Sequence, residues 1–188
     1  MDAERNTGAI LDAAIQVLGH SPDARMEHIA RAAGVSRQTL YAHFPARESL
    51  VNAVLDKLTG ETLAAIDAAD LDNGPAAAAL IRLLDASWQT FERYPVLVNG
   101  TLTQLRQAES DERHTPVLAR IERLVRRGQD AGEFDGELSP AWLVATTVAL
   151  GHTAGDLADT GQLTTAEARA ALNRSVLRVF GARDSAGS

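Results

Sequence analysis

The chain has 188 residues, a length that suits one compact domain or two small ones sharing a core, and its 45% hydrophobic and 23% charged residues exclude wholesale disorder. The 18 Lys and Arg against 25 Asp and Glu leave a formal charge of −7, which excludes a polycation that would coat any nucleic acid but leaves room for a local polar or basic face. Cysteine is absent, which removes disulfides, thiolate metal sites and cysteine nucleophiles and fits a reducing compartment.

Aromatic residues make up only 4%, so the core must be built from Ala, Leu, Val and Ile. No stretch approaches the ~18 consecutive apolar residues needed to cross a bilayer. The longest apolar run, Ala141 to Leu150, is interrupted by Thr146 and Thr147 and reads as a buried helix. Met1 to Asn6 has no basic stretch leading into an apolar one, so no signal peptide is visible. The expectation is a soluble cytoplasmic protein without membrane contact.

Helical periodicity runs through almost every segment. Residues 7–18 place Ile10, Leu11, Ala14, Ile15, Val17 and Leu18 on one stripe, with Asp12 and Gln16 opposite, and the stretch from Gly19 to Asp23 reads as a turn. A short second helix over 26–33 offers Met26, Ile29, Ala30 and Ala33, and Gly34 stops it. A third begins at Ser36, a good N-cap, and ends at Phe44 because Pro45 forbids its continuation. A longer helix spans 46–69, carrying Leu50, Val51, Val54, Leu58, Leu63 and Ile66.

The Leu71-Asp72-Asn73-Gly74-Pro75 run is the clearest boundary in the chain. Helices follow at 76–94, 96–108, 116–131, 140–157 and 165–180, and residues 184–188 read as a frayed tail. The fold class is all-α, with about nine helices.

The pair 26–33 and 36–44 has helix-turn-helix layout. The crossing point of two such helices needs a small side chain, supplied by Ala30, and the turn needs a residue tolerant of positive φ, supplied by Gly34. Leu40 and Phe44, four apart, face the core with Ile29. That orientation turns Arg37, Gln38, Tyr41 and His43 outward, with Thr39 near the edge. Arg and Gln can read base edges bidentately, a Thr methyl can meet a thymine methyl, and Tyr and His can bond to phosphate.

The run from Ile29 to Leu50, with Ala33-Gly34-Val35-Ser36, Thr39-Leu40-Tyr41 and His43-Phe44-Pro45, resembles the N-terminal domain of the tetracycline-repressor (TetR) family across roughly 50 residues. Arg126 to Phe134 also resembles the end of a middle helix in that family. The resemblance implies residues 1–48 as a DNA-binding domain and 49–188 as a ligand-binding and dimerisation domain. It implies that Ser36 caps the recognition helix and that Arg37, Gln38 and Thr39 contact bases and phosphates. Tyr41 and His43 match phosphate contacts, and Arg47 matches a basic phosphate contact where the helix dipole also favours an anion.

Two departures stand out. The family's Ser or Thr cap of the second helix is replaced by Ala24-Arg25-Met26, so Asp23 is expected to cap and Arg25 to take over the phosphate. The turn after Leu18 is also about two residues short. Residues 1–57 hold six basic and seven acidic side chains, a net of −1, whereas the rest hold twelve and eighteen, a net of −6. Non-specific DNA affinity should therefore be weak, and specific affinity should lean on geometry and dimer avidity.

The resemblance further implies a homodimer through helices 140–157 and 165–180, whose Ala141, Ala145, Ala149, Ala154, Ala168 and Ala171 allow close approach. The helices at 76–94, 96–108 and 116–131 would enclose a pocket for an unidentified small-molecule effector. Trp88, Phe91, Gln104, Thr146 and His152 are the lining candidates, with Gln89, Asn99 and Thr147 nearby. Trp88, Phe91, Tyr94, Phe134 and Trp142 could equally be core or interface residues. His152 and Asp156 share a helical face, but no third ligand accompanies them, so a metal or catalytic role is not favoured. Arg120, Arg123, Arg126 and Arg127 read as a solvated face. No nucleophile–base set or Gly-rich loop converges, so no enzyme and no cofactor are expected. The resulting expectation is a regulator, usually a repressor, that binds a near-palindromic double-stranded operator. The competing class is a helical ligand-binding or scaffold protein without operator recognition.

Overall fold

A computed structural model describes the backbone of residues 2–94 and 110–182, and the side chains of 5–90, 92–94 and 115–182. Among the described residues there are eight helices and no strand: α1 (Asp2–His20), α2 (Met26–Ala32), α3 (Arg37–His43), α4 (Arg47–Ala68), α5 (Ala76–Arg93), α6 (Ser110–Asp130), α7 (Pro140–Asp159) and α8 (Thr165–Val179). The all-α expectation holds. The helix expected over 96–108, and the tail 184–188, lie outside the described residues.

The chain divides into two compact units, Met1–Glu61 with Arg93–Ser110, and Thr62–Glu92 with Asp111–Ser188. The core of the first is formed by Ile10, Ala14, Ile15 and Leu18 of α1, Met26, Ile29 and Ala30 of α2, Leu40 of α3, Phe44, and Leu50, Val51, Val54, Leu55 and Leu58 of α4. Leu11 and Val17, placed on the same stripe by periodicity, are only half-buried. The buried arc is therefore narrower than the apolar pattern. Tyr94 joins this core at 6% exposure.

Its hydroxyl donates a short hydrogen bond to Glu61, whose carboxylate is 3.2 Å from the Lys57 ammonium; Lys57 in turn lies 3.4 Å from Asp12 of α1. Burial and then the Glu61 bond push the Tyr94 hydroxyl above its ordinary pKa. Burial pushes the Glu61 carboxyl up, but the bonds from Tyr94 and Lys57 outweigh it and hold the group below its ordinary value. The bond to Glu61 raises Lys57.

The second unit packs Ile66, Leu80, Leu83, Leu84 and Trp88 with Ile121, Leu124, Val125, Phe134, Leu143, Leu172, Val176 and Phe180. Phe134 and Phe180 meet edge to face, with ring centroids 5.0 Å apart at 89°. Two arginines pin the α4–α5 turn. Arg82 donates to the carbonyls of Ala69 (2.8 Å), Asp70 (2.6 Å) and Asn73 (2.8 Å), and Arg127 to those of Leu71 (2.9 Å) and Gly74 (2.8 Å). Asp70 takes φ +53°, which costs a residue that carries a Cβ, while Gly74 takes +76° without that penalty. Glu133 accepts from the Ala77 N–H at 3.2 Å, placing a carboxylate at the amino end of α5 where the helix dipole favours it.

The arginine row of α6 faces solvent as expected at Arg123 and Arg126, 63% and 62% exposed, with Arg123 3.7 Å from Asp72 and Arg126 2.6 Å from Glu122 of its own helix. Arg120 grips Asp67 with a fork of 2.5 and 2.7 Å and Arg127 holds the turn, which departs from the expectation. The helix also begins at Ser110 rather than Pro116, so the proline is internal to it. Pro116 is the seventh helical residue, beyond the first turn in which a missing N–H costs least, so it leaves one helical carbonyl without its usual donor.

α7 is capped by Ser139, which accepts from the Trp142 N–H at 3.2 Å, with Pro140 as the first helical residue. α8 opens with a complete capping box between Thr164 and Glu167. Ala154 and Ala168, expected to admit a symmetry mate, are buried at 6% and 0% in their own unit's core. Ala141, Ala145, Ala149 and Ala171 are exposed, and Trp142 is 58% exposed among them.

Candidate nucleic-acid interface

The geometry begins with a helix too short to hold itself. α2 has seven residues, and its N-cap is Arg25, whose side chain makes no cap bond; the expected cap from Asp23 does not form. Isolated helices of this length are unstable in water, so tertiary contacts must hold it. Met26, Ile29 and Ala30 supply them, at 6%, 0% and 3% exposure. A second support comes from Arg47 at the start of α4. Its two terminal nitrogens donate to the carbonyls of Pro22 and Ala24, tying the turn before α2 to α4. The resemblance implies a phosphate contact for Arg47, and in this conformation the fork is engaged on those carbonyls.

Gly34 takes φ +68°, the left-handed conformation the turn requires, and donates to Arg31 O at 3.2 Å. Val35 N–H returns to Ala30 O at 3.0 Å. Ser36 then caps α3 as expected, its hydroxyl accepting from Thr39 N–H at 3.0 Å and pairing with the Thr39 hydroxyl at 2.8 Å. Leu40 and Phe44 seal the inner face at 0% and 7% exposure, and Pro45 follows.

With that face locked, the outer one is determined. Arg37 and Gln38 are exposed, and Thr39, Tyr41 and His43 are half-buried. Arg37 Nη1 lies 3.1 Å from Glu27 Oε1, and its guanidinium carbon sits 5.3 Å from the centre of the Tyr41 ring. His43 Nδ1 is 3.1 Å from the Thr7 hydroxyl of α1. Arg25 is exposed at the start of α2. The face thus combines a forked cation, an amide, a hydroxyl and a phenol on one short rigid helix, the set that can engage base edges and phosphates together.

Of the expected ligand-lining residues, the side chains of Trp88, Thr146 and His152 are among those described. Trp88 is buried at 3% and donates to Glu92 at 2.9 Å, a core residue of its unit. Thr146 and His152 are half-buried on α7, and Thr147 is buried with its hydroxyl on its own helix, at Leu143 O (2.8 Å). The Phe91 side chain, Asn99 and Gln104 lie outside the described residues. An open hollow of about 800 Å³ follows α6 along Ala119, Glu122, Arg123, Arg126, Arg127, Asp130 and Ala131. Among the described residues no group of three or more His, Asp or Glu could hold a metal ion, and no helix is long and apolar enough to cross a membrane.

Two short helices crossed at Ala30, turned at Gly34 and backed by α1 and α4 form a helix-turn-helix domain. Residues 10–54 match the model for bacterial regulatory proteins of the tetR family. The chain is 42% identical over 83 residues to the HTH-type transcriptional repressor LfrR of Mycolicibacterium smegmatis, a likeness covering 44% of this chain and 44% of that protein. The crystal structure of LfrR from Mycobacterium smegmatis in complex with proflavine superposes with a TM-score of 0.76 at 26% identity, over 95% of this chain and 98% of that one. The regulator FadR from Bacillus subtilis, in complex with stearoyl-CoA, shares the fold with a TM-score of 0.79 at 16% identity, over 94% and 98%. The likeness to the tetR family therefore lies in the sequence of residues 10–54 and, at 26% identity, in the fold over 95% of the chain.

Proposed function

We propose that this protein is a ligand-responsive, sequence-specific regulator of transcription, a repressor acting as a homodimer in the cytoplasm. Residues 1–48 bind DNA, and 49–188 bind the effector and dimerise. The observation that carries the reading is the outer face of α3, where Arg37 and Gln38 stand exposed on a helix whose inner face is sealed by Leu40 and Phe44. α3 enters the major groove with Arg37, Gln38 and Thr39 at base edges and nearby phosphates. Ser36, Tyr41 and His43 meet the backbone, with Arg25 and Arg47 flanking them.

Dimerisation uses α7 and α8, where Trp142 at 58% exposure lies among Ala141, Ala145 and Ala149. A two-fold dimer requires a near-palindromic operator with half-site centres about 34 Å apart or more. The effector releases DNA by favouring a conformation in which the two recognition helices are wrongly spaced, and α4, which runs from one compact unit into the other, carries the change. Such a ligand must bind the two states unequally, with a typical coupling of ~1–3 kcal/mol. LfrR was crystallised with proflavine, and residues 58–188 here carry a net charge of −6, so a planar aromatic cation is the first effector class to try.

The test is alanine substitution at Arg37, Gln38 and Tyr41, with operator binding and dimer mass measured for each. Every variant should bind operator more weakly while remaining dimeric, and loss of Arg37 should cost ~1–3 kcal/mol and relax preference at one base pair. Equal binding by the wild type and all three variants would remove the reading face and favour a scaffold or ligand carrier.

A further inference from the structure

Glu27 lies on α2 beside the reading face, and helix geometry offers it an obvious partner in Arg31, four residues on in the same helix. The carboxylate is instead on Arg37 of α3, at 3.1 Å from Nη1. On its other side the same guanidinium lies over the Tyr41 ring at 5.3 Å. Arg37 is therefore held from two directions, by a charge from the neighbouring helix and by a ring one turn further along its own. The side chains of Arg37 and Glu27 are 66% and 43% exposed, so this pair stands where DNA would arrive.

We propose that Glu27 is a specificity-determining residue, one that aims Arg37 and discounts phosphate relative to base edges. The inference rests on the reading of α3 as the recognition helix. A guanidinium has five N–H donors in a planar fork. With Nη1 committed to Glu27, the remaining donors point in a fixed direction, which suits a base edge that demands a particular geometry. A phosphate accepts a cation from almost any direction, so it gains nothing from the aim. It also meets the Glu27 carboxylate as a like charge, which makes phosphate contact through Arg37 less favourable. The device raises the ratio of specific to non-specific binding by depressing the non-specific term. It is consistent with a recognition region whose net charge is only −1 and which has few cations to spare on phosphate.

The test begins with a duplex selected by the wild-type protein from random-sequence DNA, compared with a scrambled duplex of equal length. Binding of both is followed by fluorescence anisotropy over a series of salt concentrations, for wild type, Glu27→Ala, Glu27→Gln, Arg37→Ala and the double variant Glu27→Ala with Arg37→Ala. For Glu27→Ala, affinity for scrambled DNA should rise about tenfold, and its salt slope should steepen by about 0.9, the signature of one additional phosphate contact. Operator affinity should change by less than about threefold, because loss of aim and relief of repulsion oppose each other. Glu27→Gln keeps the length of the side chain and should show the same direction with a smaller change.

In the Arg37→Ala background, removing Glu27 should leave the salt slope where it was. A Glu27→Ala protein that shifts both duplexes equally with an unchanged slope would overturn the proposal. So would a shift that persists without Arg37. If the wild type selects no consensus at all, the recognition reading itself fails and the role of Glu27 falls with it, an outcome visible before any variant is made.

Discussion

Gly128 lies in α6 beside the Phe134 ring, and alanine at this position should destabilise the protein even though alanine is the better helix former. A Cβ built on Gly128 would lie 2.1 Å from Phe134 Cδ2, 2.4 Å from Cε2 and 2.8 Å from Cγ. The ring cannot be nudged aside by a few tenths of an ångström. It must move by more than about 1 Å to restore ordinary contact, and Phe180 stands edge-on behind it, fully buried.

Giving up the Phe134 seat costs about 3–5 kcal/mol. The helix preference for Ala over Gly returns about 1 kcal/mol, leaving a net loss of about 2–4 kcal/mol. For a chain of this size, each kcal/mol moves the melting temperature by about 2–4 °C. Gly60 of α4 is the internal control, because a Cβ there meets nothing within 4 Å and the position is exposed. Gly60→Ala should stabilise by up to about 1 kcal/mol. Thermal melts and urea titrations of the two variants side by side should show opposite signs. A Gly128→Ala protein as stable as wild type would refute the packing argument.

Two further outcomes concern charge and the turn. Tyr94 and Lys57 both hold their protons more tightly in the folded chain than in the unfolded one. The stability they contribute is therefore complete below about pH 10 and lost as pH rises through their folded values. Urea titrations across that range should show Tyr94→Phe losing less stability than wild type, and parallel pH profiles would contradict the assignment. Arg127→Lys should destabilise the protein by about 1–3 kcal/mol, because an ammonium cannot serve the Leu71 and Gly74 carbonyls as a fork does; a melt indistinguishable from wild type would show that Arg82 holds the turn unaided.

What the amino-acid pattern reveals here is what is local. Ala30, Gly34, Ser36, Leu40 and Phe44 declare the helix-turn-helix because each acts within a few residues of itself, through a crossing, a φ angle, a cap or one helical face. The long-range partners were silent. Arg47 finds the carbonyls of Pro22 and Ala24, Arg127 finds Leu71 and Gly74, and His43 finds Thr7, across separations of 23 to 56 residues that no periodicity encodes. Arg120, whose partner is Asp67, is unmarked for the same reason. Glu27 carries no mark of its pairing either, because its partner sits on a different helix from the one its spacing advertises. Trp88 shows the converse limit: an aromatic near the end of α5 carries no mark that separates a pocket wall from core, and at 3% exposure it is core.

The claim on which the rest depends is that α3 reads DNA sequence. It is met most directly by titrating the purified protein onto its selected duplex, with a large excess of scrambled competitor, at two salt concentrations. The expected result is binding that survives the competitor and weakens only modestly with salt, as contacts to base edges and few phosphates require. Binding that the competitor abolishes at both salt concentrations would contradict it.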